Sequence, residues 1–215
     1  TSLGYHALHT NTATDNTAIG ANALYANTTG SSNVGVGVSA LRANTTASQN
    51  TAVGHHALRN NTTGTQNTSL GKSALAYNTT ASYNTAVGRE ALAMNTTGAS
   101  NTAVGTDALQ QCTTGGYCVA VGHDSLDANT TGNSNTAIGY NALTANTDAD
   151  SNTAVGSGAL ASNTTAHSNT AVGRDALVLN TTGAKNVAIG HIALDANTTA
   201  SNNVAVGYNA MGANS

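Results

Sequence analysis

The sequence predicts an all-β fold: a parallel β-solenoid of about 12 coils, with one short helical turn per coil, forming a single repetitive domain over residues 1–215. Three observations predict it. A 17-residue unit reading N-T-A-V-G-x-x-A-L-x-x-N-T-T-G-x-x opens at Asn16, Asn33, Asn50, Asn67, Asn84, Asn101, Asn135, Asn152, Asn169, Asn186 and Asn203. After its first copy the unit never gains or loses a residue, so each one meets the same neighbours, as stacked repeats require. Pro is absent, which leaves every backbone N–H free to join an inter-coil ladder.

The elements follow from positions counted from the first Asn of the unit. Positions 2 to 4, as in Thr51-Ala52-Val53 or Val187-Ala188-Ile189, combine β-branched residues with a following Gly, which reads as a short strand ending in a turn. Positions 2 and 4 share one face of that strand and position 3 lies on the other. Position 3 is Ala apart from Ser2, Gly35 and Ser69. This restriction to small residues predicts close contact on that side too, with several chains packed through their Ala ladders. Position 7, as in Asn22, Ser39, Asp107 and Asp124, precedes Ala-Leu and reads as the N-cap of a single helical turn. Asn at position 12 reads as a left-handed stop to that turn, and Thr-Thr-Gly leads back to the next coil.

Composition narrows the class. Leu, Val and Ile fill only 33 of 215 positions, too few for a conventional globular core. Six basic and 9 acidic residues are too few charges for a typical disordered chain. With a net charge of -3 and scattered basic residues, the chain cannot neutralise a row of phosphates, so nucleic acid is not an expected partner. No apolar run reaches the roughly 20 residues of a membrane helix. Neither end departs from the repeat as a polar cap does, so the ends are expected to continue a longer fibre or to stack on other molecules.

Cys112 replaces the position-12 Asn and Cys118 the position-1 Asn of the following unit, in one place only. This paired replacement predicts that the two side chains touch and form a disulfide, and by extension that Asn95 lies beside Asn101 and Asn129 beside Asn135. A bridge there implies an oxidising, extracellular setting. Elsewhere, stacked Asn side chains predict amide ladders along the axis, with Asn50, Asn84 and Asn101 in one and Asn44, Asn78 and Asn95 in the other.

The phrase N-x-A-[VI]-G, as at Asn50-Thr51-Ala52-Val53-Gly54 and its copies, resembles the head repeats of trimeric autotransporter adhesins. The longer phrase with A-L-x-x-N-T-T-G is similar to repeats of bacterial surface proteins and phage tail-fibre-like proteins. The resemblance covers all 215 residues. It implies a parallel β-roll, assembly as a homotrimer, a place at the cell surface and adhesion without catalysis. The adhesin head unit is shorter than this one, and the inserted A-L-x-x-N segment is where this chain departs from it.

Position 6 holds Tyr5, His55, Lys72, Arg89, His123, Tyr140, Arg174, His191 and Tyr208. As a column, these side chains are a candidate surface for glycans or an anionic cell surface; as single residues, they are solvated turn positions. Thr at positions 13 and 14 raises ice binding as a second class of function. A self-assembling filament without a receptor is a third. The Asn-Thr-Thr triplets at Asn27, Asn44, Asn78 and Asn163 match the glycosylation acceptor pattern, though the repeat needs the same residues for ladders and turns. His6, His9 and the His55-His56 pair lack the Cys or carboxylates of a metal set. No metal, cofactor or catalytic group is expected.

Overall fold

The computed structural model describes residues 1–212. Two-residue β1 (Ser2–Leu3) is followed by twelve three-residue strands, from β2 (Thr17–Ile19) to β13 (Val204–Val206). All thirteen form one parallel sheet whose spatial order is the order of the sequence. The pairing shows why the spacing is invariant. Thr153 pairs with Thr170 and Val155 with Val172, one unit apart, and a one-residue slip in the pairing of a strand would turn its side chains to the opposite face. Only the first step is shorter, with Ser2 opposite Ala18. At the usual spacing of parallel strands the stack is about 60 Å long.

The faces are the reverse of the packing expected for Ala. Position 3 points into the solenoid: Ala52, Ala86, Ala103 and Ala154 are fully buried, together with the position-8 Ala and position-9 Leu residues, in one continuous core. Leu41, Leu58 and Leu75 belong to that single core. The small position-3 face is therefore filled by the solenoid's own Leu column, as Leu24 against Gly35 shows, and offers nothing to a second chain. Positions 2 and 4 face outward, as Leu70 at 47% and Ile138 at 39% exposure show.

The expected helical turn is absent; no residue among those described is helical. Two tight turns take its place, one closed by Ala57 N–H to the Gly54 carbonyl at 3.3 Å and the next by Asn61 N–H to the Leu58 carbonyl at 3.4 Å. Position 7 is left-handed (His56 φ 60°), and so is the Leu at position 9 (Leu58 φ 50°). Left-handed residues in alternation cannot belong to a right-handed helix. Their N–H groups run between coils instead, Leu58 to the Ala74 carbonyl at 3.0 Å. Asn and Ser are favoured at position 7 because they tolerate this conformation, and not as helix caps. Among the described residues, Asn at position 12 has no positive φ, so it is not a left-handed stop either; its role lies in its side chain.

The amide ladders are present. At position 12, Asn44 Nδ2 donates to Asn27 Oδ1 at 2.7 Å, Asn78 to Asn61 at 2.8 Å and Asn95 to Asn78 at 2.7 Å. At position 1 the acceptor serves backbone: Asn50 N–H donates to Asn33 Oδ1 at 3.0 Å and Asn101 N–H to Asn84 Oδ1 at 2.9 Å. Within a coil both Asn residues converge on one carbonyl. Gly98 O accepts from Asn84 at 3.0 Å and from Asn95 at 2.9 Å. Most polar groups inside so thin a solenoid are thus paired with each other, as burial demands, with Asn95 Oδ1 an exception.

Candidate binding surfaces

The position-6 residues form a column on the outside of the first turn. Tyr5, His55, Lys72, Arg89, His123, Tyr140, Arg174 and Tyr208 are exposed and His191 is half-buried. Neighbours in the column touch: the rings of His123 and Tyr140 lie 5.8 Å apart, those of His191 and Tyr208 5.5 Å apart, and Arg174 Nε donates to His191 Nε2 at 3.0 Å. Ala21, Val38, Thr106 and Ser157 interrupt it. Part of its positive charge is already matched, since Arg89 pairs with Glu90 at 3.1 Å and also with Asp107, and Arg174 lies 3.6 Å from Asp175. The column is a series of short aromatic and cationic clusters, without an unbroken positive strip.

The expected Cys112–Cys118 bridge is not formed; both are free, buried thiols. The reason lies in how Asn is used at these two positions. Each Cys keeps the partner of the Asn it replaces, Cys112 donating to the Gly115 carbonyl at 3.3 Å and Cys118 to the Gly132 carbonyl at 3.4 Å. Those carbonyls also accept from Asn101 and Asn129, so each Cys shares its acceptor with an Asn of its own coil. By the same rule Asn95 shares Gly98 with Asn84; the two positions are nevertheless adjacent, as Asn16 Nδ2 donating to Asn11 Oδ1 at 3.0 Å shows.

The substitution leaves a defect in the ladder. In the regular coils the position-12 Nδ2 donates to the Oδ1 one coil back, but a thiol has one weak proton, and Asn95 Oδ1 is buried without a donor. Cys112→Asn restores that bond and is expected to stabilise the fold by about 1–2 kcal/mol, read as a higher midpoint in chemical denaturation.

Burial also governs ionisation. The Cys112 thiol is pushed from the ordinary 9.0 up to about 12 by desolvation and then by the neighbouring Cys118. Desolvation likewise raises Cys118, to about 11. Raised thiol values mean that the folded state holds its protons longer than the unfolded chain. Their contribution to stability is complete below pH 9 and is lost as pH climbs towards 11 and 12. Stability is expected to fall steeply over that window, and to fall less in the Cys112→Asn, Cys118→Asn double variant. Below it, both thiols should resist alkylation until the chain unfolds.

The glycosylation triplets do not lie on the surface. Asn27, Asn44, Asn78 and Asn163 are fully buried, and their Nδ2 atoms donate to the ladder and to the position-15 carbonyls, as Asn44 does to Ala47 at 2.9 Å. A glycan on any of them is incompatible with this fold. The position-13 Thr hydroxyls are likewise committed, donating to the carbonyl of the next coil, as Thr62 does to Thr79 at 2.9 Å and Thr96 to Thr113 at 2.9 Å. Position 14 is exposed at Thr46, Thr63, Thr80, Thr97 and Thr114, giving a single outer Thr line.

Two features were not drawn from the sequence. The first is the outward sheet face. Position 4 is aliphatic in every strand, and position 2 is Thr or Val, so the strands present an uncharged face from β1 to β13. The second is a group of acidic and amide side chains near the middle of the stack. Here Asp107, His123 and Asp124 place their ligating atoms within 4.8 Å of one another. His123 Nδ1 is 2.8 Å from Asp124, while Asp107 is engaged by Arg89 and by Gln110 Nε2 at 3.0 Å. The Arg89 guanidinium already supplies the positive charge that a cation would bring. Desolvation, followed by Asp124 and Asp107, raises Asp127 above the usual carboxylate range. The spacing of these residues, one unit apart at positions 7 and 10, was the available signal.

Comparison with known proteins finds no matching family model, no matching curated protein and no matching solved structure.

Proposed function

We propose that the chain is a non-catalytic segment of an extracellular fibre, in which copies associate side by side and hold their turn faces outward for adhesion. The sheet face supports this reading. Thirteen strands align aliphatic position-4 residues with Thr or Val at position 2, and no charge interrupts them. A contiguous apolar strip of this kind on a soluble chain marks a surface for association. Three such faces closing on a common axis remove the strip from water and leave the position-6 column exposed, in the trimer that the adhesin-like repeat implies. With both thiols free, the extracellular placement rests on that resemblance.

The test is the mass of the purified protein in solution and of a Val87→Lys, Val121→Lys variant. Both positions point outward, so the variant keeps the coil. The native chain is expected to be an oligomer, and the variant a folded monomer by circular dichroism. A native chain that stays monomeric at about 100 μM, roughly a hundred times the micromolar range of ordinary association, overturns the reading.

The regularity of the same face favours one other function. Hydroxyl and methyl groups repeated at one strand spacing, on a rigid and uncharged plane, suit contact with the surface of ice. A native monomer that shows thermal hysteresis, lost in the Lys variant, would establish it. Assembly with no attachment to glycans or cells would instead identify a purely structural filament.

A further inference from the structure

The turn face carries one depression that the repeat itself does not build. Position 10 is occupied by long or polar side chains in Tyr25, Arg42, Arg59, Gln110 and Asp127, but Ala76 and Ala93 follow each other there, and both are nearly fully buried. The missing side chains leave a cavity of about 400 Å³ lined by Ser73, Tyr77, Glu90, Ala93, Met94 and Gln110. That volume lies within the range of small-molecule sites, towards its lower end.

The lining has two chemistries. Tyr77 and Met94, at position 11 of adjacent coils, are 46% and 40% exposed and supply an aromatic and a thioether surface. Ser73 and Glu90, at position 7 of the same coils, supply a hydroxyl and a carboxylate. Gln110 closes one end, its Nε2 donating to Glu90 at 2.9 Å and to Asp107 at 3.0 Å. These bonds fix the carboxylate before any ligand arrives, and a carboxylate has about four acceptor sites, so acceptor capacity remains for a ligand. The local charge is compensated: Arg89 meets both Glu90 and Asp107, and Arg59 lies 6.0 Å above the Tyr77 ring. A site without net charge, with one apolar wall and one wall of acceptors, selects an uncharged ligand that has an apolar face and a hydroxylated edge.

We propose that this cavity binds a neutral hexopyranose, the terminal sugar of a glycan. Its C–H face lies on Tyr77 and Met94, and its hydroxyls donate to Glu90 and meet Ser73. The proposal deepens the adhesive reading by naming a ligand class, and its site is separate from the sheet face through which copies associate. One site per chain with few contacts gives millimolar affinity, and a multivalent fibre raises it through avidity.

Two variants test it. Ala93→Arg fills the cavity with the residue that Arg42 and Arg59 already place at this position, so the coil tolerates it; Tyr77→Ala removes the aromatic wall. Binding of methyl glucoside, methyl galactoside, methyl mannoside and N-acetylglucosamine is followed by saturation-transfer NMR and titration on the native oligomer. At least one sugar is expected to saturate in the millimolar range. Its affinity is expected to fall about tenfold or more in both variants, a loss of 1.4 kcal/mol or more, with little dependence on salt. Failure of all four to saturate by about 50 mM, fifty times a millimolar Kd, overturns the proposal. So does binding that survives Ala93→Arg, or a site that takes tetramethylammonium in preference to sugars. Failure of oligomerisation is read separately, from mass, and sugar binding by a monomer would leave this site standing while rejecting the fibre.

Discussion

Gly156→Ala is expected to disrupt the solenoid locally by several kcal/mol, as is the same change at the other position-5 glycines, which share its conformation. Gly156 has φ 137°, a region close to inaccessible for residues with a Cβ. A Cβ built there lies 2.5 Å from the carbonyl oxygen of Gly173 and 2.6 Å from its carbon, in the next coil. Those are backbone atoms held by the ladder, so they cannot turn aside as a side chain would. The coil must open or the stack must separate at that step. Because stability in a repeat array is local and coupled to nearest neighbours, the damage should appear in hydrogen exchange as lost protection in the coils around residues 153–175, with distant coils unchanged. A uniform loss along the chain, or none, would contradict the stacking described here.

Leu75→Ala follows, with an expected cost of about 2.5–5 kcal/mol. Leu75 is fully buried, and Leu is the one large apolar residue that each coil contributes to the core, between Ala residues at positions 3 and 8. The adjacent Leu58 and Leu92 are held in their own coils, so the void is expected to close only in part. Leu75 also has φ 49°, a conformation that costs an L-residue roughly 1–2 kcal/mol; Ala keeps that strain while losing the burial that offsets it. Leu75→Met, the residue found at the equivalent Met211, should cost less than about 1.5 kcal/mol. Denaturation midpoints of the two variants, compared with hydrogen exchange at coils 68–92, check the ordering.

How far this architecture can be read from its letters differs from residue to residue. Invariant spacing gave the parallel stack and its register, and buried Asn at two fixed positions gave the ladders, because an in-register repeat turns each letter into a column. The directions of the faces were harder. Ala at position 3 suits an interior as well as a close external contact, and only the inward Leu, which fills the space against it, decides between them. Asn, Ser and Asp at position 7 suit a helix cap and a left-handed turn for related reasons, namely short polar side chains that satisfy local backbone. Leu in a left-handed conformation runs against its local preference; the need to fill the core and to send its N–H to the next coil prevails. The paired Cys replacement marks two neighbouring positions, but each thiol is bound to a carbonyl it shares with an unaltered Asn, and no bridge forms. The cavity beside Ala93 depends on which small residues happen to follow one another, and no motif announces it.

The hydrogen bonds that hold the coils together, such as Thr85 N–H to the Asn101 carbonyl at 2.8 Å, run from one coil to the next along the stack. A force applied at the two termini of one chain therefore loads them in tension and one coil at a time, as a zipper is opened, where a shearing geometry would load many at once. An isolated chain should yield in small, even steps, each freeing one repeat, or roughly 55 Å of extended polypeptide. If copies associate along the sheet as proposed, those lateral contacts would share that load and give the assembly a mechanical strength that a single chain lacks.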